Sequence, residues 1–502
     1  MATARQPAPV SGASVRMGEP AGRWVLALCV LGSAVVSLEA TVVNVALPAL
    51  GRDLDADVAG LQWTLNGYLL VLASLILLGG SFGDRFGRRR VFLIGVVWFT
   101  AASALCALAP SIEALVAGRV LQGAGGALLT PGSLAILEAT FVPEHRARAI
   151  GAWSALGGIA TAVGPLLGGW LVEQASWRWV FLVNLPLGVV VVLAALRHLP
   201  ESRDPQAPRG FDMAGSLLVS LALAGVTYGL IGAERRGIAA PEVLGPLAGG
   251  VLACAAFVAV ERRSPHPMLP LEIFASRQFT AANLVTFIVY AALGGVFFLL
   301  VVVLQTALGY TAVAAGAATL PVTALMLVLS ARTGALAQRI GPRIPLTVGP
   351  LVIAAGLLLL LRVGPRASYA ADVLPAMVVF GLGLSLVVAP VTATVLAAAD
   401  ERHAGVASGV NNAVARSAQL AAITVLPLVA GLSGAAYRDP AALTDAFHRA
   451  MLACAVLAAA GGLFAWRTIS SGVLHGEAPP EDRYHCAVAG TPLQPRAEAA
   501  RS

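Results

Sequence analysis

Apolar runs of about 20 residues recur along the whole chain and are separated by short polar breaks. Each run is long enough to cross a hydrocarbon core about 30 Å thick as an α-helix. The predicted spans lie near residues 24–50, 60–83, 91–109, 112–138, 147–172, 179–197, 211–233, 243–260, 279–305, 314–337, 345–362, 371–398, 404–432 and 446–467. The pattern therefore predicts an all-α polytopic membrane protein with fourteen transmembrane helices.

The arginines of the polar breaks are distributed unevenly between the two sides of the membrane. Breaks on the side of both termini hold about 22 arginines, and the opposite breaks hold about 8. Because positively charged loops stay in the cytoplasm, both termini are predicted to be cytoplasmic. The expected location is the plasma membrane. The same rule explains the net charge of +7 without nucleic acid as a partner.

The chain also repeats itself. The segment GALAQRIGPRIPLTVG, from Gly334, repeats GSFGDRFGRRRVFLIG, from Gly80. Secondary transporters are built from such duplications, with the site at the interface of the halves. Two pseudo-symmetric six-helix bundles plus two inserted helices are therefore predicted. In chain order the predicted parts are a cytoplasmic tail (1–23), the N-terminal bundle (24–198), two inserted helices (211–260), the C-terminal bundle (279–467) and a disordered cytoplasmic tail (468–502).

Several function classes are excluded by what the chain lacks. It contains no lysine, so it has neither a Walker A motif nor a Schiff-base lysine. The motif H-E-x-x-H is missing, and the five cysteines have no C-x-x-C spacing. We expect no enzyme activity, no cofactor and no metal. The expected partners are a small-molecule substrate, protons and the lipid bilayer, without ATP.

Several motifs carry a family resemblance. GGSFGDRFGRRR resembles the signature between spans 2 and 3 of the major facilitator superfamily, and LVAGRVLQGAGGALLTP resembles its span 4 motif. GGIATAVGPLLGGWL resembles the span 5 motif of its exporters. SLEATVVNVALP, WRWVFLVNLPLG and LQTALGYTAVAAGAATLP are similar to its fourteen-span drug:proton antiporter branch. The resemblance implies a proton-driven exporter that works by alternating access.

Residues 79–95 form the predicted cytoplasmic turn between spans 2 and 3. Its arginines orient the protein, but a plain turn does not explain an acid among them. Asp84 is expected to pair with Arg85 or with an arginine of another helix, as a latch that breaks when the halves move. The alternative is a positively charged turn without a gating role. The motif residues are Gly83, Asp84, Arg85, Gly87, Arg88 and Arg89.

Ionisable residues inside the predicted spans are candidates for proton coupling. A charge at the bilayer centre costs about 2.5–3.5 kcal/mol on insertion scales, so it needs a partner or a water-filled cavity. Glu39, in span 1, is the expected proton carrier, where the family usually has aspartate; a packing role is the alternative. Arg119, in span 4, either tunes that site or forms a structural ion pair. Glu138, near the cytoplasmic end of span 4, has either a coupling role or simple contact with water.

Two further groups of residues are candidates for gating and for the cavity. The glycines of span 5 are expected to let that helix bend and pack tightly between the halves. These residues are Gly157, Gly158, Gly164, Pro165, Gly168 and Gly169. The polar candidates either line the cavity or make interhelical hydrogen bonds. They are Asn44, Gln122, Asn411, Asn412 and Arg416.

The function expected from the sequence is proton-coupled efflux of lipophilic drugs or antibiotics, in particular cationic ones. Neutral and anionic antibiotics stay open, because few acids are available to line the cavity. One alternative is an exporter of an endogenous metabolite or lipid with the same fold. The other is a membrane sensor that transports nothing.

Overall fold

The structure is a computed structural model that describes residues 15–203, 212–265, 267–399, 404–432 and 439–474. These residues contain fourteen helices that are long and apolar enough to cross a membrane, and no β-strand. The helices are α1 (Pro20–Asp53), α2 (Val58–Phe86), α3 (Arg88–Ala107), α4 (Ile112–Thr140), α5 (Pro143–Gln174), α6 (Trp179–His198), α7 (Met213–Arg236), α8 (Pro241–Glu261), α9 (Arg277–Thr306), α10 (Ala312–Ile340), α11 (Arg343–Arg362), α12 (Tyr369–Ala397), α13 (Ala404–Ala430) and α14 (Pro440–Thr468). The predicted all-α class and the number of spans are confirmed.

Local sequence explains where several of these helices begin and end. The carboxylate of Asp57 caps α2 by accepting a hydrogen bond from the backbone N–H of Gly60 at 2.8 Å. Ser111 caps α4 in the same way. α2 ends at Phe86, and the next residue, Gly87, has a φ of +112° that only glycine adopts without strain. The membrane favours helices throughout, because a helix satisfies its backbone hydrogen bonds internally.

The helix contacts repeat between the two halves. In the N-terminal half α2 packs on α4, α1 on α5, and α3 on both α4 and α6. In the C-terminal half α10 packs on α12, α9 on α13, and α11 on both α12 and α14. Each pair in the second list is the counterpart of one in the first. The duplication seen in the sequence is therefore a duplication of the fold.

The halves meet along two seams related by the same symmetry, α2 with α13 and α5 with α10, and α1 also contacts α9. The inserted helices α7 and α8 pack on each other, and α7 also contacts α2 and α13. The insert is thus central in the sequence but peripheral in space. It covers the α2–α13 seam from outside.

Four hydrogen bonds between the halves lie at one end of the described bundle. We call this the opposite end, to distinguish it from the arginine-rich end, which holds the α2–α3 turn. The predicted turn over residues 79–95 is mostly helical: α2 continues to Phe86 and α3 begins at Arg88, so that only Gly87 lies between them. The bonds run from Gln62 Nε2 to the Ile423 carbonyl (2.9 Å), from Asn66 Nδ2 to Thr424 Oγ1 (2.9 Å), from Gln305 Nε2 to the Val45 carbonyl (3.0 Å) and from the Val313 N–H to Glu173 Oε1 (2.7 Å). They tie the halves together at the opposite end.

Candidate functional site

A buried ion pair lies inside the N-terminal half. Arg119 Nη1 of α4 contacts Glu39 Oε1 of α1 at 2.6 Å. The two side chains are 1% and 0% exposed. Because an unpaired charge in this environment is expensive, the two groups stabilise each other in the charged form.

Three further hydrogen bonds hold the side chains of this pair. Asn184 Nδ2, from α6, donates to Glu39 Oε2 at 2.7 Å. Arg119 Nε donates to the carbonyl oxygen of Thr64 at 2.9 Å, and Arg119 Nη1 also donates to Gln122 Oε1 at 2.6 Å. Both carboxylate oxygens of Glu39 are thus held by donors from two different helices.

A second layer of contacts holds these partners in place. Ser103 Oγ, from α3, accepts hydrogen bonds from Gln122 at 2.8 Å and from Asn184 at 3.4 Å. The Arg119 guanidinium lies 4.4 Å from the ring centroid of Tyr68 and 5.8 Å from that of Phe181. Five of the six helices of this half, α1, α2, α3, α4 and α6, therefore contribute to one cluster. Its geometry depends on their relative positions.

The cluster lies deep in the span. Glu39 is 14 residues from the end of α1 at Asp53, which is about 21 Å at 1.5 Å per residue. Protonation turns one carboxylate oxygen from an acceptor into a donor. A protonated Glu39 has no charge and carries an O–H donor, so its contacts with Arg119 and Asn184 become weaker. The arrangement links the protonation of one carboxyl to the contacts of several helices.

The sequence identified Glu39, Arg119 and Gln122 but missed the other members of the cluster. Asn184 lies in WRWVFLVNLPLG, a segment that carries the family resemblance without a role for this asparagine. Thr64 and Tyr68 of α2 and Ser103 of α3 stand in apolar runs and give no signal of their own. Only Asn184 could have been suspected from the sequence, because an amide inside a transmembrane run needs a hydrogen-bond partner.

The α2–α3 turn brings most of its motif residues together. Arg88, at the start of α3, binds Asp84 Oδ1 of α2 through Nη2 at 2.7 Å and through Nε at 2.9 Å. Its Nη1 donates to the carbonyl oxygen of Ala135 at 3.1 Å. The predicted pairing of Asp84 with an arginine of another helix is therefore present. The pair connects α2, α3 and α4.

Glu201, which follows α6, closes the same turn. Its Oε1 accepts hydrogen bonds from the backbone N–H groups of Arg89 and Ser202, each at 3.1 Å. A Cβ atom on Gly87 would lie 2.7 Å from this oxygen and would displace the Glu201 carboxylate. Arg89 also donates to the carbonyl oxygen of Leu196 in α6. Sequence reasoning gave Glu201 no role.

Glu138 is not part of the buried cluster. It lies 19 residues after Arg119 on α4, about 28 Å along the helix, and is exposed. Arg88 and Arg146 lie close enough to interact with it electrostatically. Glu138 thus belongs to the arginine-rich end, near the Asp84–Arg88 pair.

The α5 glycines pack closely only over part of the predicted run. Cβ atoms added at Gly164 and Gly168 would overlap Thr41 and Val42 of α1, and one at Gly169 would lie 2.6 Å from Val313 Cα of α10. Their neighbour Pro165 lies with its carbonyl oxygen against Gly316 of α10. At Gly157 and Gly158 an added Cβ would meet no atom of the described residues within 4 Å. Among the described residues, close packing is therefore seen at Gly164, Gly168 and Gly169, and the gating role of the whole run stays a prediction.

The cavity candidates of α13 differ among themselves. Asn411 donates to Asn283 Oδ1 at 3.2 Å and to Thr286 Oγ1 at 2.9 Å, both on α9. Asn412 is exposed and bonds to its own helix at the Ser408 carbonyl. Asn411 is thus an interhelical contact, as one of the two predicted alternatives stated.

The other two polar candidates make mainly local contacts. Arg416, half-buried on α13, donates to Gln419 Oε1 at 3.3 Å. Asn44 is buried on α1 and donates to the Ala40 carbonyl at 3.1 Å. Neither bond ties the side chain to another helix.

Comparison with known proteins extends the resemblance seen in the motifs. The family model of the Major Facilitator Superfamily matches residues 29–423. The tetracenomycin C resistance and export protein of Streptomyces glaucescens is 39% identical over 388 residues, which cover 77% of this chain and 72% of the relative. Multidrug resistance protein Stp of Mycobacterium tuberculosis is 38% identical, covering 76% and 71%. The methylenomycin A resistance protein of Streptomyces coelicolor is 34% identical, covering 91% and 94%.

Solved structures show the same fold at low identity. A bacterial homologue of the human lysosomal transporter Spinster, inward-facing and unoccupied, has a TM-score of 0.63 and 18% identity, with 90% of this chain and 98% of that chain covered. The peptide transporter POT in complex with sulfate has a TM-score of 0.65 and 14% identity, with 91% and 98% covered. Together with the relatives above, these matches show that the chain belongs to the Major Facilitator Superfamily, as a multi-pass membrane transporter similar to antibiotic and multidrug resistance exporters.

Proposed function

We propose that this chain exports lipophilic drugs or antibiotics across the plasma membrane in exchange for protons, with both termini in the cytoplasm. The observation that carries the proposal is the buried Glu39–Arg119 pair, whose carboxylate is also held by Asn184. The names of the similar relatives support a drug or antibiotic as the substrate. The arginine-rich end supports the orientation.

The pair gives a physical route from protonation to alternating access. In the described state Glu39 is held by two donors, and the halves are tied at the opposite end. Protonation of Glu39 removes its charge and weakens its contact with Arg119. The Oδ1 atom of Asn184 is buried without a hydrogen-bond partner among the described residues. Rotation of that amide would offer an acceptor to protonated Glu39.

The direction of exchange follows from the proton gradient. A proton enters Glu39 when the site faces the outside and leaves when it faces the cytoplasm, where the drug binds. One charge moving down 100 mV supplies about 2.3 kcal/mol, enough for roughly fiftyfold accumulation. The exchange needs no nucleotide.

The charge of the substrate is the property that the experiment has to determine. A cationic drug, favoured by the sequence, has to compete with Arg119 for Glu39. Arg416 forms no ion pair among the described residues, so its positive charge would not repel a neutral or an anionic compound. The test therefore compares cationic, neutral and anionic antibiotics.

The experiment uses inside-out membrane vesicles with an acid interior. Compounds are added one at a time, and collapse of the pH gradient is followed by fluorescence. We expect substrate-dependent collapse with the natural chain and with Glu39→Asp, and none with Glu39→Gln. Glu242→Gln, which changes an exposed carboxylate at the start of α8, is the matched control and should behave like the natural chain.

The other outcomes separate the alternatives. Collapse that Glu39→Gln preserves would reject Glu39 as the proton carrier. Collapse by a single metabolite or lipid and by no antibiotic would favour the narrow exporter. If no compound causes collapse, proton-coupled export is rejected and the sensor gains support.

A further inference from the structure

Arg416 stands at the centre of α13, 12 residues after Ala404 and 14 before Ala430. It is the one charged residue in the sequence of this helix. The neighbouring helices α2 and α9 have no charged residue over 58–83 and 278–306. A charge at this depth is costly, and such residues almost always face the interior of the bundle and mark a substrate or ion pathway.

Contacts on both sides of Arg416 along α13 show how α2 lies beside it. The amide of Asn66 donates to Thr424 Oγ1 at 2.9 Å, and a Cβ atom added at Gly409 would overlap Leu77. Because Arg416 lies between Gly409 and Thr424, it is level with the stretch of α2 between these two contacts. α2 belongs to the N-terminal half and α13 to the C-terminal half. Arg416 therefore lies at the seam between the halves.

α9 passes the same level on its own side of α13. Asn411 donates to Thr286 Oγ1 of α9 at 2.9 Å, and a Cβ atom added at Gly294 of α9 would lie 3.0 Å from the Cα atom of Gln419. Arg416 lies between Asn411 and Gln419. The middle of α9 is therefore level with Arg416 as well.

Two tyrosines stand near Arg416 at this level, one from each half. Arg416 is close enough to interact electrostatically with Tyr68 of α2 and with Tyr290 of α9. The Tyr68 hydroxyl is buried and has no hydrogen-bond partner among the described residues, whereas Tyr290 is half-buried. The ring of Tyr68 also lies 4.4 Å from the Arg119 guanidinium. Tyr68 thus connects Arg416 with the buried cluster.

The positive charge of Arg416 is not compensated by the acid of that cluster. Glu39 is bound by Arg119 at 2.6 Å. Among the described residues Arg416 forms no ion pair, and its side chain makes one hydrogen bond, to Gln419 Oε1 at 3.3 Å. A guanidinium has five N–H donors. Most donors of Arg416 are therefore available to a ligand that is rich in acceptors.

We propose that Arg416 binds the carboxylate group of a lipophilic, acidic substrate. This inference rests on the proposed export function and names its substrate class. The planar guanidinium matches a carboxylate, and the hydroxyls of Tyr68 and Tyr290 supply further donors. The apolar stretches of α2 and α9 contact the apolar body of the substrate. A bound carboxylate also neutralises a charge at the bilayer centre, which lowers the cost of closing the halves around it.

The test measures equilibrium binding to the purified full-length chain by calorimetry, at neutral pH and without a proton gradient. The probes are two lipophilic acids of different shape, fusidic acid and 9-anthracenecarboxylic acid, each beside its uncharged methyl ester. The test variants are Arg416→Gln and Arg416→Lys. The control is Arg332→Gln, at an exposed arginine of α10. Thermal unfolding and gel filtration establish that the variants are folded.

We expect the natural chain and Arg332→Gln to bind each acid more tightly than its ester. Arg416→Gln should bind the acids about thirtyfold more weakly, which corresponds to about 2 kcal/mol for a hydrogen-bonded charge. Its affinity for the esters should match that of the natural chain. Arg416→Lys keeps the charge but not the planar fork, so its loss should be smaller.

Four results would overturn the proposal. They are equal affinity of the natural chain for acid and ester, an Arg416→Gln protein that still prefers the acids, equal losses in Arg416→Gln and Arg332→Gln, and no binding of either acid. In each case a Glu39-dependent collapse of the pH gradient by neutral or cationic antibiotics would leave the proposed export function in place. Conversely, acid binding that requires Arg416 but causes no collapse would support the acid site and reject proton-coupled export.

Discussion

The α2–α3 turn and its counterpart, the α10–α11 turn, share one part of their structure and differ in another. Both contain a glycine with positive φ, +112° at Gly87 and +80° at Gly341. In both, an arginine binds the last helix of its own half: Arg89 donates to Leu196 in α6, and Arg343 donates to the Trp466 carbonyl in α14. These shared contacts close each six-helix bundle.

The difference lies at two positions that flank the glycine, three residues before it and one residue after it. Asp84 and Arg88 form an ion pair that reaches α4, whereas the aligned residues are Gln338 and Pro342, which cannot form one. The glycine and the arginine that binds the last helix occur in both halves and have a structural role. The Asp84–Arg88 pair occurs only in the N-terminal half and is the candidate for gating. The same contrast holds in the core, where α4 carries Arg119 but α12 has no ionisable residue over 373–397.

Removing the counter-charge of the buried pair gives the largest expected effect. Arg119→Gln leaves Glu39 buried without its partner and should lower the free energy of unfolding by about 3–5 kcal/mol. Thermal unfolding of the purified protein measures the loss. Arg332→Gln, at an exposed arginine of α10 in the other half, is the control and should change stability little.

The double variant Glu39→Gln with Arg119→Gln sharpens this result. It should regain most of the lost stability, since no charge remains buried, but it should not support proton-coupled export. An Arg119→Gln protein as stable as the natural chain would contradict the role given to the pair.

Asn184→Ala should have the next largest effect. A hydrogen bond to a charged group is worth about 1.5–3 kcal/mol, so the maximal export rate should fall at least tenfold. Because Asn184 acts through Glu39, the half-saturating drug concentration should stay the same. Ser103→Ala, which removes only a 3.4 Å contact with Asn184 and the bond from Gln122, should cost less. A raised half-saturating concentration would instead make Asn184 a substrate contact.

Replacing the two turn glycines by alanine tests whether both turns depend on the same positive-φ backbone conformation. Gly87→Ala and Gly341→Ala should each lower stability by about 1–3 kcal/mol, because both backbone conformations are nearly restricted to glycine. The new Cβ atoms would also overlap Glu201 in one turn and the Ser471 carbonyl in the other. Chemical denaturation compares the two variants. A large loss in one and none in the other would break the structural equivalence of the turns.

Asp84→Asn should have the smallest effect. It tests the Asp84–Arg88 ion pair, which the α10–α11 turn does not have. The pair is partly exposed, with Arg88 at 16% and Asp84 at 37%. It is therefore worth about 1 kcal/mol, or about fivefold in export rate. Gln338→Asn in the other turn is the control, and its export rate in vesicles should be unchanged. Equal effects of the two variants would remove the case for a gate at Asp84.

Much of the fold was predictable, because the signals for it are local. A run of about 20 apolar residues predicts a transmembrane helix by itself, since the bilayer leaves few other options for the backbone. Glu39 and Arg119 stood out as charges within such runs. The repeat of the turn motif was visible as a repeat of letters, and it predicted the duplicated bundles correctly.

The partners of these residues were decided only by the tertiary structure. Arg119 is 80 residues from Glu39 and Asn184 is 145, so their contacts depend on how each helix is rotated and placed against its neighbours. The same holds for Glu201, which reaches the α2–α3 turn from the segment after α6, and for the peripheral position of α7 and α8. Hydrophobic length fixes which segments cross the membrane, because it is a property of consecutive residues. Side-chain packing between distant helices decides which of their polar groups meet.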